Sequence, residues 1–162
     1  MKKWIASLLV VLGFSFGSAS LNPTVPGALN PEVNQSNIYQ TVCVPGYTAT
    51  IRPSTSYTGK YKKSLLPAGT DLSQYELDHA ISLVLGGNPA DHDNLWAQKY
   101  PQARWKDMVE VYLKNQVCSG KMTLKEAQKK VMNWYPVYLT LSTKQTFGGV
   151  VVPSDLIDLD DD

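Results

Sequence analysis

The spacing of hydrophobic and polar residues changes several times along the chain, and each change predicts a different element. Residues 41–66 are rich in Thr, Tyr and Val between Pro-Gly and Pro turns, which predicts short strands. Residues 75–81 are predicted as another short strand. Gly86 and Gly87 then require a loop, and Asn94 opens a second short strand where the chain returns.

The segment that begins at Gln102 has the spacing of an amphipathic helix. Its apolar stripe consists of Trp105, Met108, Val109, Tyr112 and Leu113. Lys106, Glu110 and Lys114 recur at i, i+4 spacing on the other side, so they are predicted to line the solvent face. Gly120 is predicted to end this helix.

A second helix is predicted to begin after Thr123, because Thr123 and Glu126 have the spacing of a capping box. Its buried face is predicted to consist of Leu124, Ala127, Val131 and Tyr135. Pro136 is predicted to end it. Taken together, these elements predict an α+β fold with additional short strands on the N-terminal side and helices on the C-terminal side.

Both ends of the chain are predicted to lie outside the folded domain. Residues 1–20 combine two early lysines, an apolar run and small residues, which is typical of a secretory signal peptide. The run is shorter than the ~20 residues of a spanning helix. We therefore expect an exported protein, periplasmic or secreted, without stable membrane association after cleavage. Residues 21–40 are expected as a flexible leader, 41–153 as the domain and 154–162 as a frayed acidic tail.

The charge balance neither requires nor excludes a polyanionic partner. The chain has 15 basic and 14 acidic residues, and five of the acids lie in the tail, so the body between the two ends is mildly basic. Lys60, Lys62 and Lys63 alternate with Tyr61 in a way that fits either a phosphate-facing patch or a solvated turn. The two cysteines, Cys43 and Cys118, favour a disulfide in an exported protein, with two buried thiols as the alternative.

Both histidines of the chain lie in one short stretch, residues 75–98. Within it, "ELDHAISLVLGG…DNLW" resembles the HNH endonucleases, which belong to the His-Me finger group. The wider pattern is similar to a secreted or phage-borne branch of that family. There, "CVPGYT…RP…SYT" precedes the Asp-His motif, and "KD…E…VCSG…L…AQ" follows it. These letters are all present here between Cys43 and Gln128.

The resemblance implies a small ββα-metal core and hydrolysis of phosphodiester bonds by a metal-dependent endonuclease. It implies His79 as the general base, Asp78 as a metal ligand and Asn94 as the residue whose amide holds the loop and so orients His79. The implied cofactor is one divalent ion, with Mg²⁺ favoured and Mn²⁺ or another divalent ion as alternatives. The implied partner is nucleic acid, with DNA favoured over RNA and little sequence specificity.

One position departs from the family pattern. The second protein ligand, a His or Asn near the helix start, falls on Gln102 here, and Gln98 is a weaker candidate for the same role. Lys106 lies one turn beyond Gln102 and either meets a phosphate or pairs with Glu110. His92 is expected as a solvated loop residue.

Two other functions stay open at the level of sequence. The first is a nucleic-acid-binding domain on the same fold, whose metal site is degraded because Gln102 replaces the usual ligand. The second is a structural extracytoplasmic protein, closed by the disulfide, in which Asp78 and His79 pair only with each other. Cleavage of a plasmid that EDTA abolishes would distinguish the nuclease from both.

Overall fold

The computed structural model describes residues 21–148, with side chains described as far as residue 143. The predictions for 1–20 and 154–162 therefore lie outside the described residues. Within them the fold is α+β, with one two-stranded antiparallel sheet and five α-helices. In chain order these are α1 (Tyr47–Ile51), α2 (Thr55–Leu65), β1 (Tyr75–His79), β2 (Leu95–Lys99), α3 (Gln102–Cys118), α4 (Leu124–Met132) and α5 (Trp134–Gly148).

The two strands form the hairpin that the sequence predicts, but β1 ends at His79 rather than at residue 81. In the antiparallel register Asp78 lies opposite Trp96 and Glu76 lies opposite Gln98. These four side chains project from one side of the sheet, because alternate residues of a strand share a side. The loop between the strands contains two short 3₁₀ turns, Leu83–Leu85 and His92–Asn94.

The prediction of short strands in residues 41–66 is wrong, because the structure forms α1 and α2 there. Ser54 starts α2 as its N-cap, and its side chain accepts a hydrogen bond from the Tyr57 amide. Strand propensity of Thr and Tyr reflects packing on a half-buried sheet surface more than a backbone preference. Here the Ser54 cap and the packing of α2 against β1 and β2 outweigh the strand propensity of these residues.

Residues 21–40, expected as a flexible leader, pack against the domain instead. Val33 and Ile38 are buried in the hydrophobic core. The backbone N–H of Asn30 donates to Gly86, and the Gln35 side chain accepts from the Leu124 amide at the start of α4. The composition of the segment is polar, but its few apolar residues supply contacts that hold it in place.

α3 begins at Gln102, as predicted, but its predicted solvent face is wrong in part. Lys106 and Glu110 are buried, together with the apolar residues Val109 and Leu113. Lys106 can be buried because Asp78, from the sheet, lies beside it and Glu110 pairs with it, so that three charged groups meet inside the protein. The i, i+4 spacing therefore forms an internal ion pair rather than a solvated one.

α4 follows the prediction at its start and departs from it at its end. The capping box of Thr123 and Glu126 is formed, with the side chain of each accepting from the backbone of the other. Pro136 does not end this helix. α4 ends at Met132, and Pro136 lies in the first turn of α5, where proline is tolerated because the missing N–H has no partner in the helix.

The core lies where α3, α4 and α5 meet the loop and the N-terminal segment. Its fully buried residues include Leu85, Val109, Leu113, Val131 and Trp134. The predicted disulfide Cys43–Cys118 is confirmed, with a Cα–Cα separation of 5.6 Å, and it joins the segment before α1 to the end of α3. Within residues 21–148 no helix has both the length and the apolar character to cross a membrane.

Candidate active site

Asp78 and His79 are adjacent at the end of β1, yet their side chains enter different surroundings. Asp78 faces α3, where its Oδ2 lies 2.9 Å from Nζ of Lys106. His79 is directed to the loop between the strands, where its Nε2 lies 3.0 Å from the carbonyl oxygen of Pro89. Both residues are buried. The strand end lets two neighbouring residues contribute to one region from opposite sides of the sheet.

The contact with Pro89 determines which nitrogen of His79 carries the proton. A carbonyl oxygen can only accept, so Nε2 must donate to it. In the neutral ring, Nδ1 then carries the lone pair and is the nitrogen that can accept a proton. The side chain is thus held in the tautomer that a general base at Nδ1 requires.

The surroundings of His79 also favour its neutral form. Burial lowers the pKa of His79 below its ordinary value. The hydrogen bond with Pro89 and the charge of Asp78 oppose this shift, while the charges of Lys106 and Arg52 add to it. The imidazole therefore remains unprotonated, and able to accept a proton, to a more acidic pH than a histidine in water.

Asn94 is fully buried and fixes the loop that follows His79. Its Oδ1 accepts from the amide of Ile81 at 2.8 Å, and its Nδ2 donates to the carbonyl oxygens of Ile81 at 3.0 Å and Asn88 at 2.8 Å. Gly87 is required beside it, since a Cβ there would lie 1.7 Å from the Ile81 oxygen. These are the loop-holding bonds expected of Asn94, and its part in catalysis stays a prediction.

Lys106 cannot reach a phosphate, because its side chain has no exposed surface. Its ammonium contacts the carboxylates of Asp78 and Glu110 and donates to the backbone oxygen of His79 at 2.8 Å. Burial alone would lower the pKa of Lys106, but the two carboxylates raise it above its ordinary value, so the group stays charged. Of the two roles that the sequence left open, the structure has the pairing with Glu110.

This buried cluster has more acid than base. Burial, followed by the charges of Glu110, Glu76 and Asp78, raises the pKa of Asp107 to about 9. Burial likewise raises the pKa of Glu110 to about 7, although contact with Lys106 opposes the shift. The Lys106 ammonium contacts two of these carboxyl groups, Asp78 and Glu110, while the half-buried Asp107 and Glu76 lie near enough for their charges to interact. With one lysine among four carboxyl groups, the region gains stability by taking up a proton or another cation.

Gln98 is the polar residue of this region whose hydrogen-bonding capacity is least used. It is 2% exposed and lies across the sheet from Glu76. Within the described residues neither its Oε1 nor its Nε2 has a hydrogen-bond partner, and the indole N–H of its neighbour Trp96 has none. A buried amide without partners costs about 1–3 kcal/mol, so this position favours an additional ligand or water.

Gln102, the predicted second metal ligand, has a different environment. It is the first residue of α3, directly after the cis peptide bond between Tyr100 and Pro101. With its nitrogen turned to the backbone, its amide donates to the carbonyl oxygens of Lys99 at 2.9 Å and Tyr100 at 3.2 Å. Among residues 21–148 no hydrogen bond links Gln102 to Asp78. The structure thus brings Gln98, rather than Gln102, to the side of the sheet that Asp78 occupies.

The lysines of α2 divide between two roles. Nζ of Lys62 donates to the carbonyl oxygens of Leu72 at 3.2 Å and Tyr75 at 2.9 Å, so it connects α2 to the start of β1. Lys63 is exposed near the end of α2. Both residues lie on a helix rather than in the turn that the solvated alternative assumed, and a phosphate-facing role for them stays a prediction.

Two features near His79 were missed by sequence reasoning. Arg52 is exposed and close enough for its charge to lower the pKa of His79, and the "RP" of the family pattern was the available signal. His92 is exposed, as expected of a loop residue, but its ring also stacks on Tyr61 with ring centroids 4.1 Å apart. No local signal pointed to that contact, since Tyr61 belongs to α2 and lies far away in sequence.

Comparisons with known proteins add no further identification. The chain matched no protein-family model, no curated protein and no solved structure. The functional argument therefore rests on the residues and contacts described above.

Proposed function

We propose that this protein is an exported phosphodiester hydrolase, an endonuclease that uses His79 as its general base. The observation that carries the proposal is the fixed tautomer of His79, with Nε2 committed to Pro89 and Nδ1 left as the proton acceptor. Among residues 21–148, the imidazole of His79 has one hydrogen-bond partner, the carbonyl oxygen of Pro89. Here that partner comes from a loop that Asn94 holds through three hydrogen bonds.

The proposed chemistry is an attack of water on phosphorus, in which Nδ1 of His79 removes a proton from the water. General bases of this kind contribute typically ~10² to 10⁴-fold to a rate. Arg52 is proposed to contact the phosphate, because it is exposed and its charge reaches His79. Lys63 on α2 is proposed as a more distant contact to the nucleic-acid backbone.

The donor set on the other side of β1 fits a divalent cation in its chemistry. Asp78 and Asp107 offer carboxyl oxygens, of which the Asp107 group must lose its proton before it binds an ion. Gln98 offers an unpartnered amide oxygen, and oxygen ligands of these kinds are those that Mg²⁺ and Mn²⁺ accept. Across residues 21–148 no three His, Cys, Asp or Glu side chains gather closely enough to hold an ion. An ion there would depend on the amide oxygen and on water for its remaining ligands.

We propose Asp78 and Gln98 as the residues that would hold this ion, with Gln102 as the alternative second ligand. A divalent cation supplies neutralisation of the phosphate charge and stabilisation of the departing oxygen. The protein's own contribution is to hold the Asp78 carboxyl group in place, with the Lys106 ammonium 2.9 Å from its Oδ2.

The test is cleavage of plasmid DNA and of matched RNA by the oxidised protein, with Mg²⁺, Mn²⁺ or EDTA. We expect nicking that EDTA abolishes and DNA cut faster than RNA. His79→Ala should lower the rate by ~10² to 10⁴-fold in a protein that still folds, as its thermal midpoint would show. Equal cleavage by wild type and a folded His79→Ala would exclude the general-base role. DNA retention without cleavage would favour the binding domain, and neither binding nor cleavage would favour the structural protein.

A second titration identifies the ligand. Gln98→Leu keeps the size of a buried side chain that has no hydrogen bonds, so the fold should tolerate it. It should raise the metal concentration that gives half-maximal cleavage, while Gln102→Ala should leave that concentration unchanged. The reverse result would return Gln102 to the metal site and remove Gln98 from it.

A further inference from the structure

The loop that carries Pro89 is attached to α2 through aromatic side chains. The ring of His92 stacks on the ring of Tyr61 at a centroid distance of 4.1 Å and an interplanar angle of 16°. The Tyr57 hydroxyl donates to the carbonyl oxygen of Ala90 at 3.2 Å and lies 3.3 Å from Nε2 of His92. We call Tyr57, Tyr61 and His92 the aromatic clamp.

The other side of the same loop is attached to the interior. The Oδ1 atom of Asn88 accepts from the amides of Ala90 and Asp91, both at 3.1 Å, and the backbone oxygen of Asn88 accepts from Asn94. Pro89 lies between this internal anchor and the first contact of the clamp at Ala90. The position of the Pro89 carbonyl oxygen therefore depends on both attachments.

We propose that the aromatic clamp is a positioning element for His79: it holds the loop so that the Pro89 carbonyl fixes the imidazole tautomer. The clamp touches neither the reacting atoms nor His79 itself, so it acts through Pro89. Its effect on the tautomer is independent of the reaction, while its effect on rate rests on the proposed nuclease function.

The chemistry predicts the size of the effect. A neutral imidazole exchanges between two tautomers, and one hydrogen bond to Nε2 biases that exchange. Loosening the loop weakens this bond, which corresponds to about a 3- to 10-fold change in the populations. The cleavage rate constant kcat should fall by a similar factor, with KM for DNA little changed because the clamp does not contact the phosphate.

The test compares His92→Ala and Tyr61→Ala with His92→Phe and Tyr61→Phe, which keep an aromatic ring for stacking. The readout is the pair of ¹⁵N chemical shifts of the His79 ring at a pH where it is neutral. Since the chain has two histidines, His79 is the only one left in the His92 variants, and its signals need no further assignment. Thermal midpoints of all four variants are measured alongside.

We expect the alanine variants to shift both ¹⁵N signals toward the average of the two tautomers, and the phenylalanine variants to restore the wild-type values. Unchanged signals in folded alanine variants would overturn the proposal. Equal loss in alanine and phenylalanine variants would overturn stacking as the operative contact. If the wild type cleaves no nucleic acid, the proposed function fails, and the tautomer measurement still decides the role of the clamp.

Discussion

Replacing Lys106 by Met separates the buried role of this lysine from a role in phosphate binding. Lys106 has no exposed side-chain surface, and its ammonium lies between the carboxylates of Asp78 and Glu110. Met has a similar length and no charge. The substitution therefore leaves two carboxylates inside the protein without their cation.

The expected cost follows from that arrangement. Removing one member of a buried ion pair costs about 3–5 kcal/mol, because the charge that remains has lost both water and its partner. The total stability of a domain is typically about 5–15 kcal/mol, so the loss is a large share of it. At roughly 3–5 °C per kcal/mol for a domain of this size, the thermal midpoint should fall by about 10–20 °C.

The assay is urea denaturation and calorimetry of the oxidised protein at neutral pH, with Lys125→Met as the control. Lys125 is an exposed lysine of α4, and the same substitution there should change stability by less than ~0.5 kcal/mol. Adding Glu110→Gln to Lys106→Met should recover part of the lost stability, because it removes one of the two buried carboxyl groups left without a cation. A midpoint within 2–3 °C of wild type (roughly 1 kcal/mol or less), with weaker DNA binding, would refute the reasoning and restore the phosphate contact.

Three further results are expected. Because the pKa of Asp107 is raised to about 9 in the folded protein, Asp107 alone should make stability in EDTA fall by about 1.4 kcal/mol per pH unit between pH 5 and 8. Below about pH 7 the raised pKa of Glu110 adds to this fall, and the lowered pKa of His79 opposes it. Asp107→Asn should remove the Asp107 part of the slope in pH-dependent urea denaturation. Gly87→Ala should cost about 3 kcal/mol or more, because the added Cβ would overlap the Ile81 oxygen. Gly59→Ala is the control: it lies in the middle of α2 with space around it, and it should stabilise by about 0.5–1 kcal/mol. Equal effects of the two substitutions in thermal melts would contradict the loop geometry. Reducing the disulfide should cost about 4 kcal/mol on the chain-entropy model, and an unchanged urea midpoint with reductant would show that it contributes nothing.

Features with a local cause were predictable from the sequence. The capping box at Thr123 and Glu126 depends on residues three positions apart, and the start of α3 at Gln102 depends on one helical repeat. The disulfide was predictable because only two cysteines were available to pair. The strand that carries Asp78 and His79 was also found, although it was expected to continue to residue 81 and ends at His79.

Features with a distant cause were not predictable in the same way. The spacing of Lys106 and Glu110 places them on one side of a helix, but only Asp78, from the sheet, makes that side an interior one. His92 lies in a polar loop, and nothing nearby in sequence indicates the Tyr61 ring on which it stacks. Sequence periodicity describes one helix or strand at a time, whereas a charged residue can be buried only if a second element supplies a partner for its charge.

The side-by-side placement of Asp78 and His79 at a strand end has a consequence for how this protein can change. Their side chains receive their direct contacts from separate parts of the molecule: Asp78 contacts Lys106 of α3, and His79 contacts Pro89 of the loop held by α2. Substitutions in that loop should change the imidazole tautomer and leave the contact between Asp78 and Lys106 in place. Substitutions in α3 should reach His79 through charge, because Asp78 and Lys106 both act on its pKa, so the geometry of the two positions can be adjusted separately but their charges cannot.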